Sequence, residues 1–177
     1  MFYYDLLYEI MLDTNTLDYI YDNKTHLVSI LRNLSTKHIH LYITHIQQDE
    51  INKMTDNNKK NCINKIISNI GIRRILTSSA LTGINEPSKH GFISSNISIS
   101  EFVHDVDLPI LEKLHKYTVS NPIGNAADLS ILYTAIKKKM HYLITDNTSD
   151  FGPMLKEMSK SIPNYLQVQK NYYLNYL

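Results

Sequence analysis

The stretch Tyr142–Phe151, YLITDNTSDF, decides the fold. An apolar run, Tyr142-Leu143-Ile144, stops at Thr145-Asp146-Asn147, and a further carboxylate, Asp150, follows four residues after Asp146. Short apolar runs bounded by turn residues read as buried parallel strands, and open α/β sheets bind ligands where such strands end. The same shape occurs near the start of the chain, where Ile10-Met11-Leu12 runs into Asp13-Thr14-Asn15. If the two strands are sheet neighbours, their terminal carboxylates lie about 5 Å apart. At an effective dielectric of 20 that pair repels by roughly 3 kcal/mol. A divalent cation or a shared proton is the usual reason a fold carries such a cost.

Working outward, the chain reads as β-α-β-α-α-β. A first strand covers 9–13, and helices follow over 15–22 and 24–35, the latter with Leu27, Ile30, Leu31 and Leu34 on one stripe. A second strand covers 38–44 and ends at Thr44, an N-cap whose capping-box partner is Gln47. Helices at 45–54 and 58–69 come next, then a short strand at 74–77. The segment 78–100 turns to Ser, Gly, Asn and Pro without helical period and reads as a surface insertion. Helices at 101–118 and 125–140, the strand at 142–146, a helix at 148–159 and a strand at 166–169 complete the order. This alternation predicts an α/β fold, a three-layer α/β/α sandwich around a mostly parallel sheet.

At 177 residues the chain reads as one domain, 1–177, with a core over about 9–169. The formal net charge of +1 announces no nucleic-acid binder, so any such role rests on a local patch. The single cysteine, Cys62, excludes an internal disulfide and a multi-cysteine zinc site, and fits a reducing, cytoplasmic compartment. Asp5 and Glu9 interrupt the apolar N-terminal stretch and no basic segment precedes it, so neither a leader nor a membrane span is expected. The eight histidines show no zinc-binding spacing apart from His38 and His40, which alternation puts on one strand face.

The acids separate by position. Asp49 sits between His45 and Lys53 at i±4, which reads as a solvated pair. Glu50 has Ile46 and Met54 at i±4, which places it on the sheet-facing stripe, where an unpartnered carboxylate is expensive and a ligand role is favoured. Asp128 lies in the first turn of its helix, on the face of Leu132 and Ala135. Asp146 ends a strand with no nearby Lys or Arg in sequence. Asp150 has two compatible readings, as capping partner of Asn147 and as metal ligand. Thr14, Asn15, Thr145 and Asn147 have ordinary turn and cap roles, and their recurrence beside Asp13 and Asp146 suggests that they orient those carboxylates or reach substrate.

LDTN (12–15), Glu50 after the second strand, NAADLSI (125–131) and LITDNTSDF (143–151) occur in the order found in PIN-domain nucleases, which this chain resembles over roughly 9–169. Asp13, Glu50, Asp128 and Asp146 fit that family's four main acids, and Asp150 its variable fifth. The resemblance implies an endoribonuclease in which these five acids hold Mg²⁺ or Mn²⁺ and RNA phosphodiesters are hydrolysed. It further implies RNA as substrate, admits a homodimer or an antitoxin protein as partner, and leaves toxin and RNA-processing roles open. Oxygen-only donors agree with a hard cation in place of zinc. Lys59, Lys60, Lys65, Arg73, Arg74 and Lys137–Lys139 are the candidates for gripping phosphate. The rival reading is a catalytically silent member that binds RNA or dimerises.

Overall fold

In a computed structural model the described residues are 7–75, 125–149, 151, 166–171 and 174. They form β1 (Tyr8–Leu12), α1 (Thr14–Asp22), α2 (Lys24–Ser35), β2 (Ile39–Thr44), α3 (His45–Lys53), α4 (Asn57–Ile70) and β3 (Arg73–Ile75). After the segment 76–124 come α5 (Asn125–Lys137), β4 (Tyr142–Ile144) and β5 (Gln167–Gln169). The strands make one five-stranded sheet in the order β3-β2-β1-β4-β5, and all four pairings are parallel.

Strand alternation divides the core in two. Ile10 and Leu12 of β1 and Ile144 of β4 face α1, α2 and α4, and there they pack with Leu17, Leu31 and Ile66 among others. Met11 and Leu143 face the other way, onto α5 and Phe151. Helices on both faces of a parallel sheet give the expected α/β/α sandwich. From Ser130 to Ile136 every residue of α5 is buried, so this stretch of the helix is enclosed on all sides.

Local signals set the element ends. Asp13 caps α1 by accepting from the Thr14 N–H, which moves the helix start one residue earlier than expected and ends β1 at Leu12. Asp56 caps α4 through the N–H groups of Asn58 and Lys59, and Gly71, at φ 81°, closes it in the left-handed region that glycine tolerates. α5 ends at Lys137, three residues short of expectation, where Lys139 takes φ 56°. Strand β3 starts at Arg73, one residue before its predicted start. The insertion at 78–100, the helix at 101–118 and most of the helix at 148–159 lie outside the described residues.

Chain order along the sheet matters most for function. β1, β2 and β3 step one way and β4 and β5 the other, so direction reverses between β1 and β4. Register pairs Leu12 with Ile144, which brings the residues after them, Asp13 and Thr145-Asp146, to the carboxyl edge of that reversal. Crevices at such a switch point are where open α/β sheets bind ligands.

Gln47 ties this edge together. The capping box with Thr44 forms as expected, and the Thr44 N–H donates to Gln47 Oε1 at 2.8 Å. The fully buried Gln47 amide also donates to the Leu12 carbonyl at 2.8 Å, fastening α3 to the end of β1. Gln47→Leu keeps the volume and strands both groups. It is expected to lower stability by about 1–3 kcal/mol in urea unfolding with an unchanged slope. A loss under about 0.5 kcal/mol would show that water replaces the amide.

Candidate active site

Asp13 lies at the centre of the carboxyl edge and is 6% exposed. Its Oδ1 accepts from the Thr14 N–H at 2.7 Å. Its Oδ2 accepts from Thr145 Oγ1 at 2.6 Å and from Asn15 Nδ2 at 2.7 Å. Burial pushes the Asp13 carboxyl above its ordinary range; the bonds from Thr145, Thr14 and Asn15 pull it back, and the Asp146 charge adds to the rise. All three donors are neutral, so the charge is solvated by dipoles and not cancelled.

The two strand ends are wired to each other by amides and a hydroxyl. Asn15 sits between the acids: its amino group faces Asp13, and its Oδ1 accepts the Asp146 N–H at 2.9 Å. Neither contact can reverse, because a carboxylate only accepts and a backbone N–H only donates. Thr145 Oγ1 donates to Asp13 while accepting from the Asn147 N–H at 2.9 Å and from Asn15 Nδ2 at 3.1 Å. Asp146 itself is exposed. Thr14 and Asn147 reach sideways to the remaining acids. Thr14 Oγ1 donates to Glu50 Oε2, and Asn147 Nδ2 donates to Asp128 Oδ2 at 3.2 Å.

Glu50 differs from its sequence reading. On α3 it shares the arc of Ile46 and Gln47, yet it is exposed, not packed on the sheet. Met54, one of the two residues used to phase it, lies beyond the end of α3, and the group Glu50 meets is the first turn of α1. Partial desolvation there raises its carboxyl above the ordinary value; Thr14 and Lys53 oppose the shift, and the charges of Asp13 and Asp49 add to it. Asp49 is half-buried, and its charge acts on His45 one turn before it. Asp150 lies outside the described residues.

Asp13, Glu50, Asp128 and Asp146 are thus joined in one network of hydrogen bonds and charges. Among the described residues, however, no three His, Cys, Asp or Glu side chains close into a protein-only metal cage. Oxygen donors held in pairs suit a hard cation that keeps several of its waters and takes one or two carboxylates.

Asn171 belongs to the same network, and no local motif marks it. It is fully buried just beyond β5, and its N–H lies 3.4 Å from Asp146 Oδ1. Its Nδ2 reaches the carbonyl and Oδ1 of Asn15, each at 3.3 Å, and its Oδ1 lies 2.7 Å from Thr16 Oγ1. Only the register of β5 on β4, with the Thr145 N–H donating to the Gln169 carbonyl at 2.9 Å, brings it here.

The basic candidates divide between the two ends of the sheet. Lys59 and Lys60, in the first turn of α4, stand at the carboxyl end; Lys59 pairs with Asp18 of α1 at 2.9 Å and Lys60 Nζ donates to the Asn52 carbonyl at 2.7 Å. Arg73 turns instead to His40 and Tyr42, and Lys137–Lys139 follow the far end of α5. No helix among the described residues is long and apolar enough to cross a membrane.

No family model and no curated protein matches this sequence. Among solved structures it is similar to a chain of VapBC2 from Rickettsia felis bound to a DNA fragment from its promoter. The TM-score is 0.54 at 20% identity, covering 92% of this chain and 98% of that one. At that identity the likeness speaks for the fold.

The raised carboxyls of Asp13 and Glu50 set a pH dependence. Both bind a proton more tightly folded than unfolded, so their ionised forms weaken the fold. That penalty is fully present above the folded values and is relieved as pH falls through them toward the ordinary 3.8 and 4.5. The melting temperature of metal-free protein is therefore expected to rise as pH falls through the raised folded values toward those ordinary ones. Asp146→Asn removes a repelling charge from an exposed position, so at pH 7.5 it should melt about 1–3 °C higher and gain less on acidification. A variant that melts lower would contradict the repulsion.

Proposed function

We propose that this chain is a PIN-type ribonuclease, hydrolysing RNA phosphodiester bonds with Mg²⁺ or Mn²⁺ in the cytoplasm. The observation that carries the reading is the pair Asp13 and Asp146 at the carboxyl ends of adjacent parallel strands, joined through Asn15. Glu50 and Asp128 are linked to that pair through Thr14 and Asn147. Asp13 and Asp146 would hold the principal cation directly and Asp128 through one of its waters, and Asp150 would support a second, weaker cation. A bound cation of this kind supplies an acidified water at neutral pH and a counter-charge for the phosphate.

The chain's own residues do the rest. Asn15 and Thr145 aim Asp13 and oppose the effect of its burial, since every donor bonded to it favours the charged form. Glu50 stands on the exposed side of the site, where its carboxyl, raised above its ordinary range by partial desolvation, can orient a water and take its proton. Lys59 and Lys60 are the cations placed to meet an RNA backbone on this edge. The neighbour's VapBC2 designation extends the reading to a toxin with an antitoxin partner, or to a homodimer. The absence of a three-acid cage among the described residues favours one other reading, a silent RNA-binding or dimerising module.

Cleavage of a panel of single-stranded and hairpin RNAs separates the two. Activity with Mn²⁺ that EDTA abolishes is expected. Asp146→Asn and Glu50→Gln should each lower it by about a hundredfold or more, and Asp49→Asn by less than about threefold. RNA bound but never cut, with either metal, would establish the silent module.

A further inference from the structure

We infer that Asn171 is a positioning residue for the acidic site, fixing the orientation of the Asn15 amide from the far end of the chain. The inference rests on the metal-dependent reading above and adds to it a group outside the acidic motifs. Asn15 serves the site only in one orientation, amino group to Asp13 and oxygen to the Asp146 N–H. Asp146 also presents Oδ1 to the Asn171 N–H, so one residue contacts both the amide and the second acid.

The polarity of Asn171 follows from what surrounds it. The Asn15 carbonyl can only accept, which turns the Asn171 amino group toward α1, 3.3 Å from both Asn15 oxygens. Its own oxygen then meets Thr16 Oγ1, a hydroxyl that also lies 2.6 Å from the Ile144 carbonyl at the end of β4. Thr16 and Asn171 are both fully buried, so no water substitutes for these partners. A flipped Asn15 amide would set its oxygen against Asp13 Oδ2 and its amino group against the Asp146 N–H. The donor at Asn171 disfavours that flip from the opposite side. Partners bonded directly to metal-binding carboxylates, as Asn15 is to Asp13, typically contribute ten- to a hundredfold in metal affinity, and the Asn171 side chain acts through that partner.

A structural role alone would lower stability without touching the cation, and Leu174 provides the comparison. It is fully buried in the same terminal segment, in the cluster on the α1 side of the sheet. Mn²⁺ affinity of Asn171→Leu and Leu174→Ala, measured by electron paramagnetic resonance at a temperature where both are folded, decides the matter. Leucine is chosen because it keeps the branched shape of asparagine without its polar atoms and adds no charge beside a cation. Asn171→Leu is expected to weaken Mn²⁺ binding about tenfold or more and to lower kcat with KM little changed. Leu174→Ala should melt lower yet bind Mn²⁺ like the unsubstituted chain. If Asn171→Leu does not fold, Asn171→Ser carries the same comparison. Unaltered affinity in the Asn171 variant, or equal weakening in both variants, overturns the positioning role while leaving the nuclease reading intact. No Mn²⁺ binding by the unsubstituted chain overturns both.

Discussion

The burial of the Asp13 carboxylate is the constraint on which the rest of this edge depends. Taking one charge out of water costs several kcal/mol even after relaxation. Here no Lys or Arg among the described residues forms an ion pair with it. Three donors offset that cost, each by about 1.5–3 kcal/mol as a bond to a charged group. One comes from the α1 cap, one from Asn15 and one from Thr145 on the neighbouring strand. A carboxylate solvated in this way stays available to a cation, whereas an arginine partner would occupy it. The same donors fix its geometry, because moving Asp13 breaks the cap of α1 and the link to β4 together.

Sheet topology converts that local arrangement into a site. Asp13 and Asp146 could each terminate a strand without meeting if β1 and β4 were not neighbours. The reversal of strand order at β1 and β4 makes them so, at the kind of switch point where open α/β sheets bind ligands. Short polar side chains then spread the network outward, Thr14 to α3 and Asn147 to α5. Hydroxyls and amides suit this task because they relay a hydrogen bond without adding charge to a crowded acidic edge. The basic residues divide along the same axis, with Lys59 and Lys60 toward the carboxyl end of the sheet and Arg73 at the amino end.

Much of this was legible in the sequence, for identifiable reasons. LDTN and LITDN each show an apolar run broken by a turn, and strand periodicity is short-ranged, so β1, β4 and their terminal acids could be read directly. The Thr44–Gln47 capping box was equally local. Gln47 donating to Leu12, and Asn171 lying against Asn15, were not legible, because those contacts join residues 35 and 156 positions apart and depend on register. Glu50 shows a subtler limit. Its helical phase was readable, but its exposure depends on α1 and not the sheet standing opposite it, which no periodicity encodes. α5 is buried all round from Ser130 to Ile136, beyond the face of Leu132 and Ala135 that was readable, since what encloses a helix is a property of tertiary structure.

The central claim is that the amide-linked pair Asp13 and Asp146 forms the seat of a divalent cation. Anomalous scattering from crystals containing Mn²⁺ tests it most directly. The account predicts a peak within coordinating distance of carboxylate oxygens from both residues. A peak seated elsewhere, or none in crystals of a protein that still cleaves RNA, would contradict it.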